Sequence, residues 1–457
     1  MIEPPFDFYM ISPPLGLGYI AAVLEKQGYE VKILDCNLRY STHNLKQQFD
    51  CWADVVGITS MSCNYHYAIQ LAKMVKQVDR RKVTVLGGPH PTAMAQQVLA
   101  EKCVDYVVQG EGEFTTLKLI ECLEGRGDLS KIDGIAYRKS DQVIVQPKNS
   151  HIEELDSLPY PAYHLLSLDK YQDAPHGVFF ERKPFLPMFT SRGCPYQCKF
   201  CANPAIWGHV WRARSAKNIV DEINYLVDKF NVKEIHFEDD NFTLDRKRLI
   251  EICNRILESG LDIAWKCPNG VRFEGLDLDV LKLMRKSGCY SLSFGIESGV
   301  PEILEGVNKK MRLGLVKKVI EEARKAGIST VGFFIIGLPG ETVETARQTI
   351  RFAKSLKLTA AQFNIFVPFP GTAIFDEYIR KGYISKLDWR KFSVDYPVFE
   401  TESLRSDEIR SLRRQAFREF YLRPKVLFEN LRHISSVRGF LWLIRRLGHV
   451  FQDSCAY

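Results

Sequence analysis

"FTSRGCPYQCKFCANP" (189–204) carries three cysteines, Cys194, Cys198 and Cys201, within eight residues. Their spacing is C-x3-C-x2-C, and no fourth cysteine follows at ligand spacing. A closed structural zinc site takes four ligands, usually in two pairs. The nearest further candidate here is His209, so a Cys3His zinc site is one reading. The other is a four-iron cluster, on which three thiolates leave one iron without a protein ligand and open to a small molecule. Phe200, just before the third cysteine, would shield one side of such a cluster.

The sequence around this stretch repeats a strand–helix alternation from 186 to 380. Strand-like runs are "LPMFTS" (186–191), "EIHFED" (234–239), "DIAWKC" (262–267), "SLSFGIES" (291–298), "TVGFFIIG" (330–337) and "AAQFNIFVP" (360–368). Helical patterns such as "AKNIVDEINYLVDKF" and "RKRLIEICNRILESG" separate them. Six βα units predict a partial (β/α)6 TIM-type barrel, with its site at the strand C-termini. The cysteines follow the first of these strands.

The motif, with its aromatic before the last cysteine, resembles that of the radical S-adenosylmethionine (SAM) superfamily, and the resemblance spans 186–380. It implies a [4Fe-4S] cluster on Cys194, Cys198 and Cys201, with SAM chelating the open iron. It also implies reductive cleavage to methionine and a 5′-deoxyadenosyl radical that abstracts hydrogen from the substrate. An external electron donor such as flavodoxin or ferredoxin would feed the cluster. The implied SAM-binding positions are Phe200, Asp239, Asp240, Glu297, Ser298, Arg312, Gly337 and Leu338. Asp239 or Asp240 in "HFEDDNF" stands where the family has Gly-Gly-Glu, and this sequence lacks those glycines. Acidic residues at that place also suit a helix N-cap. Lys309 in "NKKMR" and Arg272 in "PNGVRF" are further cations for the SAM carboxylate, with a solvated charge run as the plain alternative. Cys267, at a strand end, reads as a buried thiol or as a lumen-facing group.

Upstream, short apolar runs alternate with helix patterns: "FDFYMIS" (6–12), "EVKILD" (30–35), "DVVGITSM" (54–61), "KVTVLGG" (82–88) and "VDYVVQG" (104–110). This predicts a Rossmann-like doubly wound parallel sheet over 1–130, with a ligand at the strand carboxyl ends. Those ends, "SPPLG", "TSMSCN", "GGPH" and "QGEGE", are small and polar. Placed before such a barrel, the domain resembles the cobalamin-binding class of the same superfamily. The resemblance implies cobalamin on Ser60, Ser62, Gly87, Gly88, Glu111 and Gly112. The Asp-x-His-x-x-Gly loop that supplies a cobalt ligand in many such domains is missing, and neither His66 nor His90 matches its spacing. Cobalamin is therefore expected without a histidine ligand.

Residues 131–185 read as a hairpin and linker, and 381–457 as a basic helical tail. From Ser403 onward there are eleven Lys/Arg against five Asp/Glu. Residues 423–451 mix arginine with apolar residues at helical spacing. They predict either a helix packed on the barrel or a peripheral membrane contact. The net charge of +7 over 457 residues does not argue for nucleic acid. "MIEPPFDFYMISPP" has no signal-peptide pattern, so a cytoplasmic location is expected. The expected activity is cobalamin-dependent methylation of an unactivated carbon on a small-molecule or lipid-like substrate. Carbon–carbon coupling or ring formation is the alternative within the class, and a non-catalytic iron–sulfur electron-transfer or scaffold protein the alternative outside it.

Overall fold

The computed structural model describes residues 1–5, 12–38, 53–140, 142–171, 180–384, 387–395, 399–401, 403–424 and 426. The first sheet contains β1 (Ile2–Glu3), β2 (Leu34–Asp35), β3 (Val55–Thr59), β4 (Val83–Gly87), β5 (Tyr106–Val108), β6 (Ile135–Lys139) and β7 (Gln142–Val145). Their order is β2-β1-β3-β4-β5-β6-β7. The first five are parallel, and β6 and β7 add an antiparallel edge. The two faces are covered separately, as alternation along a strand requires. On β4, Val85 packs with Leu119 of helix Gly112–Leu123, whereas Leu86 packs with Val75 and Val98 of helices Tyr65–Val78 and Ala95–Ala100. The chain is thus doubly wound, and its order reverses at β1.

Two sequence expectations shift here. The predicted strand 6–12 falls, except for Ser12, outside the described residues, and the first strand is Ile2–Glu3. The hairpin read as part of the linker hydrogen-bonds to β5 and extends the first sheet. Farther along the connector, Tyr163 packs on the barrel, its hydroxyl donating to Glu222 at 2.8 Å.

The second unit begins with β8 (Phe185–Met188) and a short pair, β9 (Ser191–Arg192) and β10 (Arg212–Ala213). It continues through β11 (Glu234–Phe237), β12 (Ala264–Val271), β13 (Cys289–Glu297), β14 (Ser329–Ile336) and β15 (Ala360–Ile365). Strand order β15-β14-β13-β12-β11-β8 is sequential and parallel throughout, which is the expected partial barrel. Its helices carry their own stop and start signals. Ser215 caps helix Ala216–Phe230 through the Asn218 amide, and Asp245 caps Arg246–Glu258. Helix Ser406–Tyr421 closes the last strand, with Phe420 against Phe363 and the Tyr421 hydroxyl donating to the Ala361 carbonyl at 2.7 Å. The predicted amphipathic segment 423–451 lies outside the described residues apart from 423, 424 and 426. Among the described residues no helix is long and apolar enough to cross a membrane.

The units meet in a buried ion network. Glu111, in the loop after β5, accepts from Arg192 at 2.8 Å and Arg212 at 2.9 Å, and from the Ile152 amide. Arg192 also donates to Glu113 and lies over the rings of Tyr19 and Trp207. Burial pushes the Glu111 carboxyl up, but Arg192, Ile152 and Arg212 together outweigh it and hold the group below the ordinary range. Removing one member of such a buried set costs about 3–5 kcal/mol, because its partners stay buried without compensation. We expect Glu111→Gln to lose stability on that scale, read as a lower urea midpoint at pH 7. A carboxylate with a depressed folded pKa contributes above its unfolded value and loses that contribution as pH falls through the folded one. The gap between wild type and variant should therefore persist down to the unfolded value near 4.5 and close only below it.

Candidate functional site at the top of the barrel

The cysteine loop leaves β9 through Gly193. This residue sits at φ +83°, and a Cβ there would lie 2.3 Å from the Val210 carbonyl oxygen. Only glycine lets the chain turn this close to β10 and enter the loop. The far side is pinned to the segment after β13: the Lys199 amide donates to the Val307 carbonyl at 3.0 Å, and Asn308 to the Gln197 carbonyl at 2.8 Å. Phe200 packs at the margin of the core shared with the first sheet.

The three thiols are half-buried neighbours. Burial pushes all three up, Cys201 to about 12. Thiols in that state stay protonated until a metal displaces the proton. Among the described residues no three side chains converge on one point as the ligands of a single ion do. A four-iron cluster takes its thiolates at separate corners, and this donor set fits it.

Charged groups flank the loop on two sides. Asp240 neighbours Cys194 and Cys201, accepts from Asn203 and from the Gly193 amide, and is pushed up to about 6 by burial and then by Asp239. On the other side Lys309, buried and 2.9 Å from Glu297, neighbours Cys198. Arg272 neighbours the same thiol and stacks on Tyr196 with its guanidinium carbon 3.6 Å from the ring centroid.

The remaining predicted positions separate into two sets. Asp240 and Glu297 stand beside the cysteines. Asp239 is turned away, accepting from the Thr190 amide at 2.6 Å and from the Thr190 and Ser191 hydroxyls. Ser298 is buried against Thr349 at 3.0 Å, and its Oγ accepts from the Val300 amide. Arg312 is exposed at the start of helix Leu313–Lys325. Gly337 offers backbone at a tight turn, donating to Glu341 at 2.6 Å, with Leu338 buried behind it. Cys267 lies within β12 and faces the helix-packed core, so the lumen-facing reading does not hold.

The sequence reading missed the character of the barrel lumen. Ile235 and Phe237 join the outer core, so Glu234, His236 and Glu238 occupy the concave side of β11. Lys266 stands opposite His236 on β12. Burial lowers Lys266 to about 8 and His236 to about 4. Glu234 closes the lower end, accepting from Tyr290 at 2.6 Å and from the Glu181 and Arg182 amides, with His236 Nε2 at 2.7 Å. The strict polar–apolar alternation of "EIHFE" was the available signal.

At the strand ends of the first sheet, Glu111 is committed to the ion network and Gly112 starts helix Gly112–Leu123 against Ile20. Gly88, at φ +93°, lies so near Thr59 and Ser60 that a Cβ would clash, and Gly87 abuts the Val108 carbonyl. Ser60 and Ser62 are buried. The Ser60 hydroxyl donates to the Met61 carbonyl, and Ser62 bonds His90 Nδ1 at 3.0 Å.

Comparison with known proteins agrees with both halves. The family model of the Radical SAM superfamily matches residues 188–353, and that of the B12 binding domain matches 7–120. The chain is 37% identical over 425 residues to an uncharacterized methyltransferase of Pyrococcus horikoshii, covering 92% of this chain and 90% of that one. It is 34% identical over 431 residues to the cytidylyl-2-hydroxyethylphosphonate methyltransferase of Streptomyces wedmorensis, covering 83% and 80%. The fold is shared with the cobalamin-dependent S-adenosylmethionine radical enzyme OxsB, with TM-score 0.76 at 16% identity over 98% of this chain and 70% of that one.

Two sets of variants test the loop. Replacing Cys194, Cys198 or Cys201 by Ala should remove the brown thiolate–iron absorption and the bound iron from anaerobically purified protein. Gly193→Ala keeps every ligand yet forces a backbone clash, so it should lower iron content too. The control Gly314→Ala, at an open helix position, should leave iron unchanged.

Proposed function

Because the chain belongs to the cobalamin-binding class of the radical SAM superfamily, we propose that it methylates an unactivated carbon of a small polar substrate. The observation that carries this reading is the three-cysteine loop held between Asp240 and the Lys309–Glu297 and Arg272 side, above a polar lumen. The site needs a [4Fe-4S] cluster and SAM for one-electron chemistry and cobalamin as methyl carrier. The chain's own part is positional. Cys194, Cys198 and Cys201 hold three irons and leave the fourth to a ligand. Asp240 accepts hydrogen bonds from the SAM ammonium, and Arg272 and Lys309 place positive charge near its carboxylate. The backbone at Gly337 and Leu338 gives adenine a flat edge. Glu234, Glu238 and Lys266 make the lumen hospitable to a polar molecule, and this favours such a substrate over a lipid. The two methyltransferase relatives support methyl transfer. The electron comes from an external donor of the flavodoxin or ferredoxin type.

Incubating the reconstituted full chain with SAM and a strong one-electron reductant should give 5′-deoxyadenosine together with S-adenosylhomocysteine. 5′-Deoxyadenosine alone would favour coupling or ring formation, and neither product would leave a cluster scaffold. Asp240→Asn should keep the iron and raise the SAM concentration for half-maximal turnover about tenfold, equivalent to about 1.4 kcal/mol for a lost charged hydrogen bond.

A further inference from the structure

Between the two inward-facing serines of the loop after β3 stands a residue of opposite character. Met61 is 48% exposed, whereas Ser60 and Ser62 are 1% and 8% exposed. It is held in this position. Its amide donates to Asn64 Oδ1 at 2.8 Å, and its carbonyl accepts from the Ser60 hydroxyl at 3.0 Å. The loop therefore presents a large, soft thioether outward on a fixed backbone, two residues beyond the end of β3. The place is specific. Strand order reverses at β1, and in an open parallel sheet the ligand crevice opens outside the carboxyl ends of the strands at such a reversal, here β1 and β3.

His90, the histidine of the neighbouring β4 loop, is turned away. Its Nδ1 bonds Ser62, and its ring packs between Tyr65 at 4.3 Å and Trp389 at 4.6 Å.

We infer that Met61 is the residue beneath the cobalt, its side chain covering the lower face of the corrin where many cobalamin domains place a histidine. The inference rests on the cobalamin reading of the first sheet. A polarizable, unbranched side chain suits a flat apolar face. With no nitrogen offered below it, a bound cobalt would lack a strong lower ligand from this loop, and the apolar side chain would shape its surroundings and so its potential.

The test is spectroscopic and uses the full chain, reconstituted with hydroxocobalamin, freed of excess and reduced to Co(II). Wild type should retain cobalt and show no nitrogen hyperfine splitting. Met61→His should retain cobalt equally and gain a nitrogen splitting whose pattern changes when the histidine is isotopically labelled, and its Co(II)/Co(I) potential should fall. Met61→Leu should match wild type in both spectrum and retention, which separates the effect of histidine from loss of the methionine. Failure of wild type to retain cobalt would overturn the cobalamin reading itself. Retained cobalt with nitrogen splitting in wild type would overturn the assignment alone. So would a Met61→His protein that retains cobalt without a histidine signal.

Discussion

Glu111 is the point on which the two halves turn. It lies at a strand end of the first sheet, and its arginine partners lie on the short strands that flank the cysteine loop. Arg192 is two residues from Cys194, so one carboxylate fixes the path of the chain into that loop and ties it to the edge of the other sheet. Burial of four charged side chains is unfavourable in itself. The set persists because the guanidinium groups meet the carboxylates directly, and because Tyr19 and Trp207 flank Arg192. What the network supplies is register: the distance between the cysteine loop and the strand ends of the first sheet follows from where Glu111 is held.

Much of this was legible because it is periodic. The barrel strands and helix 216–230 appear where apolar spacing puts them, and the cysteine spacing marks the loop that follows the first barrel strand. The carboxylate choice was also in principle legible. Asp239 and Asp240 adjoin at the end of a strand whose side chains alternate, so one had to turn inward to Thr190 and Ser191 and the other toward the cysteines. The lumen is spelled out in "EIHFE", whose alternation marks both a strand and which of its faces is polar.

Other features had no local signal. Arg212 lies 101 residues from Glu111, and nothing near it announces the pairing. At "TSMSCN" the resemblance to the cobalamin-binding class implies the serines as ligand contacts. The structure turns those hydroxyls to Met61, Asn64 and His90 and leaves the apolar residue outside. A loop that satisfies its own hydrogen bonds buries its polar side chains and leaves an apolar one exposed.

Trp389 packs on His90, and the core beneath the first sheet includes Val300, Leu338, Phe366 and Phe375 alongside Ile2, Val56 and Leu86. The amino-terminal sheet thus finishes its hydrophobic interior with side chains that leave the ribosome some three hundred residues later. Contacts of that sequence separation are slow to form and leave apolar surface open in the interval. The nascent chain must hold a partly covered sheet until the barrel strands have been made, so the first sheet completes its core only when the second half folds against it.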